Sequence, residues 1–578
     1  MRTKYIMSIA FAAMTLSLTT SCDDGLLDQS PLNSYSDDAV WGDLALSKIY
    51  LNAQYANLEA ENMKGTRYSN YTEEVYQKHL YGSETVTAGL LNCDTYSFGW
   101  DKTNFDAWGT IYGYIKSLNL MLEKIDNVPG DEAERNCQKG QALFLRAWNY
   151  HLLYSLYGRV PLVDKTFQLN DKFELKRAGL DEVADFICKD LDEAAALLPE
   201  KYDDSELGRA TKGAALALKS RILLYKASPL FGTPSREKWQ AAADAAKAVM
   251  DLGVYSLKSV SNSEDYGALF LDPTNPEVIF EKLYDPKYGA GENNSYMFQA
   301  PCGSGNGFEG WGNFDPSQEI VDKFQMADGT KPVLQDRYTS YPWGGREIRF
   351  NAAFILDGDK WGYGNSAREV ETFIPAEDGV VTGKDSNQGE SWWNASNTGY
   401  SMRKFLDPSY DNYGTTQHVT PWFFIRLAEI YLNYAECEIQ LGNIDEAMTY
   451  INKVRTRALL PAATAANTEQ AWDAYYYERQ IELVFEGQHW FDLRRWKKME
   501  ECYSKPVTGV IIYKYRDGHK EYQTGNVVAN RIFNGEAPAG AHYWMPVPRY
   551  ELRRSNLISV AIRRRNAGSC LFPMAAKD

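Results

Sequence analysis

Cysteine and histidine are scarce in this chain, eight and six in 578 residues, and neither falls into a metal-binding pattern. No C-x-x-C spacing occurs, and the histidines (His79, His151, His418, His489, His519, His542) are scattered, so no zinc cage, metal or cofactor is expected. Setting Cys22 aside as the modified N-terminus argued below leaves seven of the eight cysteines, an odd number that argues against a disulfide framework. Cys93, Cys137, Cys188 and Cys437 lie in helical patterns and read as small core residues. Positive charge is also short: 61 Lys and Arg against 77 Asp and Glu give −16, the wrong sign for a nucleic-acid surface. No internal apolar run reaches the roughly 18 residues of a membrane-crossing helix. A Gly-x-Ser-x-Gly elbow is missing too, so a serine hydrolase of that fold has no support.

What is present begins at the N-terminus. MRTKY supplies a short positive region, IMSIAFAAMTLSL an apolar stretch of about 13 residues, and TTSC a small-residue end, which together read as an export signal over residues 1–21. Cleavage before Cys22 would leave a cysteine free to carry acyl chains, a lipoprotein anchor that holds the chain on a membrane. Residues 22–40, rich in Asp and Ser, read as a polar, acidic tether.

From 41 to 257 the pattern is helical almost throughout. FDAWGTIYGYIKSLNLMLEKI puts Trp108, Ile111, Tyr112, Ile115, Leu118, Leu122 and Ile125 on one face at steps of three and four, and Gly158, Pro199 and Pro229 stand as stops after later helices. A second helical block spans 421–497. Within it LNYAECEIQLGNIDEAMTYINKV, Leu432 to Val454, has the Leu-Gly turn and small packing positions (Ala435, Gly442, Ala447) of a tetratricopeptide repeat. Between the blocks, residues 258–420 lose periodicity and turn rich in Gly, Asn, Ser, Pro, Trp and Tyr; loops that long are where binding tends to reside. The segment 498–578 contains IIYKYRDGHKEYQ, whose Asp-Gly predicts one β-hairpin. The expected fold is therefore mainly α, tetratricopeptide-like helix pairs with a large loop-rich insertion and little β, in a single domain over 41–578.

ERQIELVFEGQHWFDLRRW, Glu478 to Trp496, reads as one helix with Glu486 and His489 at i and i+3, half of a di-iron site. No other histidine has a glutamate three residues before it, so that site cannot be completed and the stretch reads as scaffolding. Arg479 with Glu482 and Asp492 with Arg495 have the spacing of intrahelical pairs. GSGNGFEG, Gly303 to Gly310, lacks the lysine and flanking elements of a phosphate loop. DGDKWG, Asp357 to Gly362, starts like a calcium loop but puts Trp361 at a ligand position and Arg368 where the bidentate Glu belongs. Among 77 acids no pair stands out for glycoside hydrolysis.

Tryptophan carries a better signal. Trp100, Trp311, Trp343, Trp361, Trp392 and Trp393 sit in loop-like sequence that helical packing does not explain. A sugar ring offers an apolar C–H face and a hydroxyl fringe, which an indole and neighbouring amides match. Asn104, Glu309, Asn313, Arg346 and Asn394 lie near these rings in sequence; the alternative is that each indole pins its loop to the body.

Five stretches together resemble the SusD/RagB group of outer-membrane lipoproteins: Cys22 with acids behind it, FLRAWNYHLLYSLYGRVPLV, GRATKGAALALKSRILLYKAS, RLAEIYLNYAECEIQLGN and ERQIELVFEGQHWFDLRRW. The resemblance implies a non-enzymatic, cell-surface receptor, lipid-anchored in the outer membrane. It would capture an oligosaccharide or polysaccharide and act as the hinged lid of a SusC-like TonB-dependent transporter. It places Trp100 and Asn104 in the region where the starch-binding member carries its aromatic arc, and gives the last stretch the role of fastening the repeats to the C-terminal part. A receptor for peptides or another nutrient, and a surface glycosidase, are the alternatives. The C-terminus departs from the pattern: after YWMPVPRYELRRSNLI an Asn-Pro-Gly-aromatic ending is expected, and SVAIRRRNAGSCLFPMAAKD follows instead.

Overall fold

Helices start where the sequence supplies caps. The computed structural model describes residues 37–554 apart from 59–67, 80–82, 95–106, 169–170, 172–174, 285–307, 309, 363, 365–366, 391, 410–418 and 532–542. Helix α1 (Leu44–Ala56) opens on Asp43, whose carboxylate accepts the Ala45 and Leu46 amides. It is followed by α2 (Ala107–Lys124) and by α3 (Glu132–Tyr157), which opens on Asp131 and closes at Gly158. Next come α4 (Leu180–Leu197), α5 (Lys212–Ala227) capped by Thr211, and α6 (Arg236–Asp251) capped by Ser235. On α2 the expected face is the buried one: Trp108, Ile111, Ile115 and Leu118 are interior, with Tyr112 and Leu122 packed partly against the core.

The second block supplies α7 (Leu427–Leu441), α8 (Ile444–Arg457), α9 (Thr468–Glu482) and α10 (Gln488–Arg495). Gly442 ends α7 in the left-handed conformation, and α8 folds back against α7, the repeat turn read from Leu-Gly. Successive helices from α2 to α6 pack one on the next, and α6 then packs on α7 although roughly 175 residues separate them in sequence. The helix-pair superhelix is thus continuous across the insertion.

The insertion leaves and re-enters this frame side by side. Among the strands are β1 (Val75–Gln77), β2 (Val278–Lys282), β3 (Phe314–Pro316), β4 (Trp422–Arg426), β5 (Val507–Lys514) and β6 (Lys520–Ala529). At the insertion's ends β2 and β4 pair antiparallel; β1 pairs β3; and β5–β6 form the hairpin read from Asp-Gly, flanked by the short strands Arg337–Tyr338 and Ile374–Pro375. The 41–257 block, read as helical almost throughout, also contributes β1 and a non-helical connection after Gly158. One expectation is corrected: Cys93 is buried but lies in a turn and is disulfide-bonded, whereas Cys137, Cys188, Cys437 and Cys502 are free.

The stretch 478–496 is a further correction, because it is two helices and not one. Phe485 and Gly487 have φ of +63° and +79°, which breaks the chain between α9 and α10. The turn separates Glu486 from His489: Glu486 binds Arg426 and Lys404, and His489 Nε2 lies 3.0 Å from Glu73 Oε1. The pairing is also not the one spacing suggested. Asp492 does bind Arg495, at 2.8 Å, but Arg479 binds Asp492 rather than Glu482. Glu482 instead receives Arg349, Arg426 and Arg457.

These contacts belong to one buried network. Arg349, Arg426, Arg455, Arg457 and Lys404 interlock with Glu277, Glu347, Glu478, Glu482 and Glu486, all nearly or fully buried. Cations and anions balance, so no net charge is left in low dielectric. The Arg457, Arg426 and Arg349 guanidiniums hold the Glu482 carboxyl well below its usual range against the opposing effect of burial. The network joins the insertion (Arg349, Lys404) to β4, α8 and α9. Among the described residues Arg494 does what the family resemblance implied for the stretch: it donates to the Tyr543 carbonyl at 2.9 Å and to the Ser155 and Leu156 carbonyls, tying the C-terminal segment to the end of α3.

Candidate functional site

A surface of aromatic rings forms where three pieces distant in sequence meet. Strand β1 pairs with β3 in the register Val75↔Pro316, Tyr76↔Asp315, Gln77↔Phe314, which sets Lys78 and His79 beside Trp311–Asn313. Lys78 N–H donates to the Asn313 carbonyl at 3.1 Å, and His79 N–H to Asn313 Oδ1 at 2.7 Å. The third piece is the single helical turn Trp392–Asn394. Lys78 Nζ donates to the Trp392 carbonyl at 2.6 Å and also to that of Ala395, and the Asn397 amide donates to Asp315 Oδ2 at 2.8 Å. The lysine therefore acts as a latch on the turn through backbone carbonyls.

The rings follow from this backbone. The His79 ring lies 6.2 Å from Trp311 and 5.6 Å from Trp393, and Trp393 meets Trp392 edge-on at 5.5 Å. Trp392 and Trp393 are 56% and 61% exposed, the only tryptophans among the described residues that face solvent. Leaving so much indole in water is unfavourable, and such exposed patches mark binding surfaces. Beneath them Asn313 is fully buried with its Nδ2 unsatisfied. Burial, and then the Lys78 charge, lower the His79 pKa and keep the ring neutral. Burial raises the Asp315 pKa, so this carboxyl beneath the turn is biased towards its neutral form. The surface thus combines indole faces with amides and carries little charge.

The structure divides the sequence-derived candidates. Trp311, Trp392 and Trp393 come together; Trp311 is half-buried. Trp343 and Trp361 are 3% and 4% exposed, so for these two candidates the alternative holds, that the indole pins its loop to the body. Trp343 packs among Tyr341, Tyr400 and Tyr522, and Trp361 sits in a two-residue strand paired with Arg368–Glu369, so both pin the insertion. Arg346 is buried and donates to the Val321 and Phe324 carbonyls, so its guanidinium is engaged in the interior. Trp100, Asn104, Glu309 and Cys22 lie outside the described residues. Lys78 and His79 were not legible as site residues, because they reach the tryptophans only through strand pairing across more than two hundred residues.

A separate groove of about 840 Å³ runs between α2, the connection after α3 and the short helix Arg549–Arg554, lined by Trp108, Tyr112, Phe167 and Tyr550. Among the described residues no group of His, Cys, Asp and Glu is placed to hold a metal ion, and no helix is long and apolar enough to cross a membrane.

Comparison with known proteins gives the following. The SusD family matches residues 276–560, and a family described as starch-binding, associating with the outer membrane, matches 26–224. A SusD-like protein of Formosa agariphila is 24% identical over 511 residues, covering 86% of this chain and 91% of that one. The crystal structure of a SusD-like protein from Bacteroides fragilis superposes with a TM-score of 0.78 at 28% identity, covering 92% of this chain and 99% of the other. A second B. fragilis structure, a SusD-like carbohydrate-binding protein, gives 0.72 at 22% identity over 89% and 99%, a likeness of fold.

Proposed function

This chain belongs to the SusD/RagB family, whose members include carbohydrate-binding proteins of the outer membrane, and on that premise we propose that it captures a glycan on the surface formed by Trp311, Trp392, Trp393 and His79. The observation that carries this reading is the pair of exposed indoles held by a lysine latch. A sugar ring covers an indole with its C–H face, and amides such as Asn394 meet its hydroxyls. Trp100 and Asn104 are proposed to extend the surface.

Binding is proposed to be non-catalytic. Glycoside hydrolysis needs two carboxyl groups facing across the bond; Asp315 lies buried beneath the turn, bound to a backbone amide. The further elements of the proposal are acylation of Cys22 on the cell surface, a lid role over a SusC-like TonB-dependent transporter, and a single domain over 41–578. Contact between α6 and α7 supports the last.

The test is a panel of neutral and acidic oligosaccharides followed by calorimetry. The Trp392→Ala/Trp393→Ala double variant should bind at least about thirtyfold more weakly, as for loss of a central aromatic anchor. Unchanged affinity would remove the site, and release of new reducing ends by the purified protein would favour the glycosidase. Loss of membrane association in Cys22→Ser, and co-purification of the transporter with the wild type, test the anchor and the lid.

A further inference from the structure

Residues on both sides of the exposed tryptophans, Asn387 and Gln388 before them and Ser396, Asn397 and Gly399 after, line one cleft. Asn526 and Val527 of the β5–β6 hairpin line it too, around a space of about 260 Å³. That is just under the ~300 Å³ at which small-molecule pockets begin, a space for one sugar ring and not for a chain. We infer that this cleft is a second carbohydrate subsite, taking a single neutral sugar unit of the glycan whose neighbouring units lie on the tryptophans.

Three observations carry it. The lining holds amides and hydroxyls but no charged side chain. Phosphates, uronates and cationic ligands would go uncompensated there, whereas neutral hydroxyls would find donors and acceptors together. Val527 is 60% exposed at the same place, an apolar patch among amides that suits the C–H face of a ring. The walls are also fixed in advance. A side chain at Gly509 would place its Cβ 2.5 Å from the Thr398 carbonyl, so only glycine lets the two segments approach. That approach is closed by Val510 N–H donating to the Thr398 carbonyl at 2.8 Å. Asn526 Nδ2 donates to the Gln523 carbonyl at 2.6 Å, which anchors its side chain on the hairpin. Prior ordering of this kind lowers the entropy lost on binding. Asn397 couples the two places, since it lines the cleft while its backbone amide is tied to Asp315 beneath the tryptophan turn.

This inference rests on the glycan-binding reading above and deepens it. Calorimetry with neutral oligosaccharides of increasing length, from disaccharide to octasaccharide, tests it on the wild type, on Asn387→Ala/Asn526→Ala and on Val527→Glu, an exposed position where folding is not at stake. Wild-type affinity should rise with length once both places are filled. Both variants should bind the shortest oligosaccharide as the wild type does and lose about tenfold of the gain with length. Variants equal to the wild type at every length, with binding still abolished by Trp392→Ala/Trp393→Ala, would overturn the second subsite and leave the platform standing. Absence of wild-type binding to every saccharide would bring down both.

Discussion

Two kinds of tryptophan share the same loop-like sequence context and are expected to behave oppositely. Trp343→Ala and Trp361→Ala empty buried space and should each cost about 3–5 kcal/mol. Trp392→Ala and Trp393→Ala remove exposed rings and should stay within about 0.5 kcal/mol of the wild type. Guanidinium denaturation checks this, and equal losses at all four positions would mean that the exposed pair is also structural. Single residues also set a pH response. Glu281 on β2 is buried, its Oε2 has no partner, and burial, with a smaller effect of Asp272, pushes its carboxyl up to about 8. The folded state therefore keeps a proton that the unfolded chain loses near 4.5, and stability falls as pH rises through that window. Glu281→Gln removes this slope, so it should gain on the wild type progressively across the window and level off above pH 8, by up to a few kcal/mol. A difference independent of pH in denaturation midpoints would refute the assignment.

At the level of elements, the break between α9 and α10 decides what the most recognisable stretch of the sequence does. Its residues have good helical spacing, and that spacing made one continuous helix the natural reading. Phe485, forced to positive φ, is held there by burial against Phe354 at 5.9 Å, so packing outweighs local preference. The turn aims Glu482 and Glu486 at four cations, Arg349, Lys404, Arg426 and Arg457, none of which lies within helical reach in sequence. Glu482→Gln should leave Arg349, Arg426 and Arg457 under-compensated in the interior and cost about 3–5 kcal/mol. Replacing Asp251, which pairs with Lys247 on the exposed face of α6, should cost less than about 0.5 kcal/mol. Thermal unfolding of the two variants side by side would sink this view of the network if Glu482→Gln proved as mild as Asp251→Asn.

Across the whole molecule, the frame closes over the insertion. Because α6 packs on α7, the first helical block cannot bury its last face without the second. A fragment of residues 37–257 should accordingly bind a hydrophobic dye and melt at lower temperature than the full mature chain, which should unfold in one transition. A fragment as stable as the full chain would argue for separate domains. The same closure explains how a surface assembled from residues 78–79, 311–313 and 392–397 can stay ordered, since both ends of the insertion are fastened to the frame by β2–β4 pairing and the buried ion network.

The sequence by itself determined the helix-pair scaffold, the repeat turn at Gly442, the hairpin at Asp517–Gly518 and the family, because these depend on periodicity, caps and turn residues that act over a few positions. It also marked the tryptophans of the insertion as a group. Which of them face water, which partners the buried arginines choose, and that Lys78 and His79 belong to the aromatic surface were decided only by the tertiary structure. Strand register and charge compensation bring those residues together across hundreds of positions, and no local pattern in the chain encodes such distances.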